Sequence, residues 1–159
     1  MKKKIVNFKL EVYTLCKQKL EERILSFEQA MKNAQEASNS EDKSSAGDKY
    51  ETSRAMGQLD RDMNAKQLVE AQSEFASLSK INIDIISDKI IQGSMVETDI
   101  GIYFIAAGIG TIELKDETKL IKKVIVLSPK SPLAIALLGK SAGEIITFNQ
   151  KQFHIKRLV

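Results

Sequence analysis

Few side chains in this sequence could do chemistry, and two of the usual types occur once only. Cys16 is the sole cysteine and His154 the sole histidine among 159 residues. One cysteine rules out an internal disulfide. Its place between Leu15 and Leu20 in a helical pattern reads as a buried structural thiol. His154, between Phe153 and Ile155, reads as a strand residue. Zinc sites built from His and Cys, and Ser-His-Asp or Cys-His catalysis, therefore lack their parts. The remaining candidates are acidic. Asp48 and Glu51 are spaced i, i+3, which places them on one side of a helical turn. Two readings stand side by side: a capping box, with aspartate at the N-cap and glutamate three residues on, or an acidic pair with a task of its own. Glu41 and Asp42 add negative charge at the same end. Lys43, Lys49, Arg54 and Arg61 are either solvated helix surface or contacts for phosphates. Tyr50 is either an exposed tyrosine at a helix start or a platform for a base. Gly108-Ile109-Gly110 lacks the rest of a dinucleotide fingerprint and reads as a turn between strands.

The elements that must hold these residues divide the chain in two. Residues 8 to 82 contain no proline, and only Gly47 and Gly57 as glycines. Leu20, Ile24, Phe27, Met31 and Ala34 recur at alternating steps of four and three, the seam of paired helices. Met56, Leu59 and Met63, and then Leu68, Ala71, Phe75 and Leu78, are expected to form the facing seam, with a drift at the five-residue step between Met63 and Leu68. The polar stretch from Ala37 to Asp48 is the turn. The expectation over 1–82 is an antiparallel coiled-coil hairpin with an acidic tip near 41–51; a bundle with a third element is the alternative.

From residue 83 the pattern becomes short β-branched and aromatic runs. Met95–Thr98, Gly101–Gly108, Thr111–Leu114, Lys123–Leu127, Glu144–Phe148 and Gln152–Leu158 are expected as strands of an antiparallel sheet. Ile81 to Ile91 alternates only loosely. Ser131 to Lys140 reads as a short helix with a serine cap, proline in its first turn and a glycine stop. The fold class is α+β, with residues 83–159 as the β-rich domain.

Two of these stretches carry a family resemblance. Ser131-Pro-Leu-Ala-Ile-Ala-Leu-Leu-Gly-Lys140-Ser-Ala-Gly143-Glu144 resembles the C-terminal signature of the bacterial Gre transcript-cleavage factors. Gly47-Asp48-Lys49-Tyr50-Glu51 is similar to that family's acidic tip. The resemblance implies an FKBP-like C-terminal domain that docks on core RNA polymerase, and a coiled coil reaching down its secondary channel. It also implies that the tip acids assist the polymerase's own hydrolysis of backtracked RNA. Asp48 and Glu51 would then be the catalytic helpers, sharing a Mg²⁺ with the polymerase and binding none alone. Ser131, Pro132, Leu133, Gly139 and Lys140 would contact the polymerase. Lys43, Lys49, Tyr50 and Arg54 would face the channel or the nascent RNA 3′ end. After Glu51 this sequence departs from the family, since Thr52, Ser53 and Arg54 stand where further acidic character is expected. A regulator that binds polymerase and inhibits or modulates transcription without cleavage is thus the alternative outcome.

Composition narrows the field further. The net charge is +3 with both signs interspersed, short of the clustered basic stripe of an autonomous DNA binder. No run of about 18 apolar residues predicts a membrane helix, and the lysine-rich start lacks the apolar stretch of an export signal. A cytoplasmic monomer with no enzymatic activity of its own is expected. A prolyl isomerase would need an aromatic-lined pocket, and the second half offers only Tyr103, Phe104, Phe148 and Phe153. A chaperone-like coiled coil would need no acidic turn.

Overall fold

The computed structural model describes residues 2–41, 47–115 and 120–158. The elements are α1 (Lys2–Glu41), α2 (Gly47–Ser79), β1 (Met95–Thr98), β2 (Ile102–Ile105), β3 (Gly110–Lys115), β4 (Ile121–Leu127), α3 (Pro132–Leu137), β5 (Ile145–Phe148) and β6 (Lys151–Leu158). They form two compact units. Residues 20–74 make up one; the first part of α1, the end of α2 and everything after it make up the other. Among the described residues no helix is long and apolar enough to cross a membrane.

In the unit of residues 20–74, α1 and α2 lie antiparallel. Arg23 bonds to Glu74 at 3.5 Å, and Arg61 donates to the Gln35 side chain. Leu20 is buried, and Ile24, Phe27, Met31 and Ala34 are half-buried, as their spacing predicts. The facing seam differs from expectation. Leu68 and Ala71 turn inward, but Met56, Leu59 and Met63 are 53%, 58% and 56% exposed. The phase of the helix explains this. Alternating steps of three and four, continued back from Ala71 and Leu68, fall on Asn64, Arg61 and Gly57, all of them half-buried. A helix turns about 100° per residue, so the apolar trio sits on a different face. The half-buried positions thus run on in phase across the five-residue step, and the seam becomes polar.

The second unit is built on a six-stranded sheet of order β3-β4-β2-β1-β6-β5. The sheet is mixed rather than purely antiparallel, because β2 pairs parallel with β4. After β2 the chain passes beyond its neighbour's place to form β3, then turns back antiparallel so that β4 fills the gap. Alternation within a strand fixes which residues face inward, not which strand lies alongside. On one face, Ile90, Val96, Tyr103, Ile105, Ile146, Phe153 and Ile155 join Ala134 and Leu137 of α3 in a buried cluster. Tyr103 and Phe153 approach at 6.4 Å between ring centroids. On the other face Phe104, Ile112, Leu114, Val124 and Val126 are also buried, and the Lys122 ammonium lies 5.5 Å over the Phe8 ring of α1.

The base of the helical pair belongs to this unit. Val12, Cys16 and Leu78 are fully buried, and Tyr13 donates to the Leu78 carbonyl. Burial pushes the Cys16 thiol up to about 12, so it remains protonated and packs as an apolar group.

The loose alternation of Ile81 to Ile91 yields no strand. Its polar side chains bond their own backbone instead: Asn82 accepts from the Asp84 amide at 3.0 Å and Ser87 from the Lys89 amide at 3.1 Å, which competes with a ladder. Ile85 and Ile86 are left 51% and 86% exposed. The segment ends at Gly93, which has φ +91°, and a Cβ there would come within 2.5 Å of the Ile81 side chain.

Candidate functional site

Two places hold the residues singled out in the sequence. The first is the start of α2. The helix already includes Gly47, so Asp48 lies inside the first turn and is not its N-cap. The capping-box reading with Asp48 at the cap and Glu51 three residues into the helix does not hold. Helical spacing still puts Asp48 and Glu51 on one side of the helix. Glu51 and Arg54 are exposed and stand three residues apart on the same helix. Asp42 and Lys43, and the side chains of Glu41, Asp48, Lys49 and Tyr50, lie outside the described residues. Arg61, grouped with the basic residues of the turn, is half-buried in the seam and engaged with Gln35.

Among the described residues no three His, Cys, Asp or Glu side chains converge as a metal site. Two carboxylates from one helical turn are an incomplete set for Mg²⁺, which demands six near-octahedral ligands and commonly takes one or two protein carboxylates plus phosphate and water. Their donor chemistry fits a shared ion.

The second place is α3 with its flanks, and each conspicuous residue there has a local task. The Ser131 side chain accepts from the Ala134 amide at 3.3 Å, and Pro132 opens the helix. Leu133 packs against the buried cluster. Gly139 takes φ +80°, the left-handed region open to glycine at little cost. Its amide donates to the Ile90 carbonyl at 2.8 Å, while the Ile90 amide donates to the Lys140 carbonyl at 2.8 Å. The end of α3 is thereby tied to the segment that enters β1. Lys140 pairs with Glu144 at 3.3 Å, and Glu144 also accepts from the Ser141 amide at 2.8 Å. The Ser141 amide and then Lys140 hold the Glu144 carboxyl below its usual range.

The five residues of the segment are thus brought together on one short capped helix and its exit. Pro132 and Gly139 are exposed. The sequence reading did not single out Ile135, which is 62% exposed on the same helix. The spacing contained the signal. Ala134 and Leu137 turn inward as an i, i+3 pair, so a residue one step past Ala134 faces away from the core.

Lys9 of α1 is a further polar group outside both places. It is 3% exposed; burial holds its ammonium below the usual lysine range and Asp84 opposes that shift. No protein-family model, curated protein or solved structure matches the chain.

Proposed function

We propose that the chain is an accessory factor of RNA polymerase. On this reading the unit containing α3 docks on core polymerase, and the paired helices enter the secondary channel. Its sheet unit would be FKBP-like. The observation that carries the reading is the layout: a long antiparallel helical pair with Glu51 exposed in the first turns of α2, followed by an α+β unit that presents Ser131–Lys140 as a capped helix. That is the order of parts implied by the Gre-like resemblance. Asp48 and Glu51 would supply hard oxygens to a Mg²⁺ whose other ligands come from the polymerase and the RNA. Held there, the ion would supply activation of a water for two-metal phosphodiester hydrolysis.

One observation favours a second outcome. Arg54, exposed beside Glu51, places a fixed positive charge where a metal would need negative potential. A factor that binds polymerase and modulates or inhibits it without cleavage accommodates that residue more easily.

The test uses the full chain, because the base of both helices packs with the sheet unit. Ile135→Lys should abolish co-purification with core polymerase and leave the melting temperature unchanged. Backtracked complexes with and without the wild-type chain then separate cleavage stimulation from inhibition. Unaltered binding by Ile135→Lys would move the docking surface elsewhere; no binding by the wild type would end the polymerase reading.

A further inference from the structure

Among the described residues the sheet ends in two edge strands, β3 and β5, and they are protected unequally. Edge strands present unpaired amides and carbonyls to any other chain, and charged side chains are a usual defence. β3 carries Glu113 and Lys115 on its six residues. β5 is Ile145-Ile146-Thr147-Phe148, with no charge and three β-branched residues in sequence. Ile145 is 53% exposed and Thr147 is also exposed.

The hydrogen-bond phase of β5 says what its free edge offers. β5 and β6 pair antiparallel with Phe148 opposite Lys151 and Ile146 opposite Phe153. Asn149 and Gln150 between them both have positive φ, 49° and 63°, the geometry of a two-residue type I′ hairpin. Beyond the other end of β5 the Ile155 amide donates to the Glu144 carbonyl at 2.9 Å. In an antiparallel ladder, bonded and non-bonded pairs alternate. The residues bonded to β6 are therefore Glu144, Ile146 and Phe148, and the backbone groups of Ile145 and Thr147 point outward.

We infer that β5 is a self-association edge whose partner is the same strand of a second copy. Ile145 and Thr147 lie symmetrically about Ile146. An antiparallel copy related by a two-fold axis at Ile146 sets Ile145 opposite Thr147 of the other copy, and Thr147 opposite its Ile145. Every outward amide and carbonyl of the strand then meets its complement, the requirement of an isologous interface. A strand without charge does not repel its own copy, and the two facing Ile–Thr pairs are of the β-branched type that stabilises neighbouring strands. The strand is only four residues long, so the association is weak and reversible. The inference is independent of the polymerase reading.

Amide hydrogen exchange on the full chain tests it, in dilute and in concentrated solution, alongside sedimentation. The amides of Ile146 and Phe148, bonded within the subunit, should exchange slowly in both. The amides of Ile145 and Thr147 should exchange fast when dilute and become protected when concentrated, as the weight-average mass rises toward that of a dimer. Ile145→Lys should abolish the rise in mass and the added protection without changing the melting temperature. Thr147→Pro, which removes only an outward donor, should do the same. A chain that stays monomeric at all concentrations overturns the proposal. So does a dimer in which Ile145 and Thr147 remain unprotected, or one that Ile145→Lys leaves intact.

Discussion

Arg61 of α2 donates a hydrogen bond to Gln35 of α1 across the helical pair, at a level where the step of four and three residues would otherwise seat an apolar side chain. The large apolar residues nearest in sequence, Met56, Leu59 and Met63, are more than half exposed. The pair is thus held by its apolar part around Leu20, Leu68 and Ala71. Leu20→Ala should destabilise the chain by about 2–5 kcal/mol, the usual cost of emptying a fully buried leucine site. Met63→Ala should change stability by no more than about 0.5 kcal/mol, as surface substitutions do. Denaturant titrations followed by helical circular dichroism check both. Equal losses in the two variants would mean that the trio is in the seam after all.

Gly57 stands at a seam position inside α2, and a Cβ built on it meets nothing within 4 Å. Glycine inside a helix costs about 0.5–1 kcal/mol relative to alanine through backbone entropy. Gly57→Ala should therefore stabilise the helical pair by about that amount, seen as a higher denaturant midpoint with an unchanged slope. A lower midpoint would show that the two helices approach more closely at this level than their static contacts indicate.

The sequence reveals what depends on local pattern and hides what depends on phase and neighbours. β1 coincides with its expected run at Met95–Thr98, and α3 forms where serine, proline and glycine bracket an apolar stretch. Both signals lie in a few adjacent residues. The seam of α1 is equally legible, because Leu20, Ile24, Phe27, Met31 and Ala34 are apolar and in phase. On α2 hydrophobicity and phase disagree. Reading apolar residues alone selects Met56, Leu59 and Met63 over the Gly57, Arg61 and Asn64 that the helix turns inward. The parallel β2–β4 pair had no sequence signal, since strand order is set by long-range packing. At the candidate site, Asp48 and Glu51 were visible as an acidic pair, but the position of the helix start that removes Asp48 from the cap was not. Arg61 showed its charge and not its partner.

Glu144 supplies a pH-dependent contribution whose sign follows from its surroundings. The Ser141 amide and Lys140 favour its ionised form, so its carboxyl titrates lower in the folded chain than in the unfolded one. Such a group stabilises the fold at pH values above the ordinary glutamate range of about 4.3, and that stabilisation fades as pH falls through the folded value. The side chain is partly open to solvent, so the effect is modest and screened by salt. Glu144→Gln should melt lower than wild type near neutral pH, and the two melting curves should converge at strongly acidic pH. A gap that stays constant down to the acid limit would assign the loss to packing of the turn.

The acidic pair of α2 gives the sharpest test of the proposed function. Asp48 lies within the first turn, where its charge favours the helix N-terminus by about 0.3–1 kcal/mol. Asp48→Asn should therefore lower stability by no more than that, and on the proposed reading polymerase binding should persist because α3 is untouched. If the pair helps to hold Mg²⁺ in the polymerase complex, Asp48→Asn and Glu51→Gln should each abolish stimulated cleavage of backtracked RNA. Raising Mg²⁺ should partly restore the Glu51→Gln variant, because mass action offsets weaker binding. Arg54 provides a converse test. Removing its positive charge with Arg54→Gln should lower the Mg²⁺ concentration needed for half-maximal cleavage, as a nearby like charge no longer opposes the ion. If wild-type chain binds polymerase yet stimulates no cleavage at any Mg²⁺ concentration, while Arg54→Gln begins to do so, the carboxylates are competent and Arg54 is what makes the natural chain a non-cleaving regulator. If neither cleaves, Asp48 and Glu51 have no part in metal chemistry, and their charge serves the helix terminus alone.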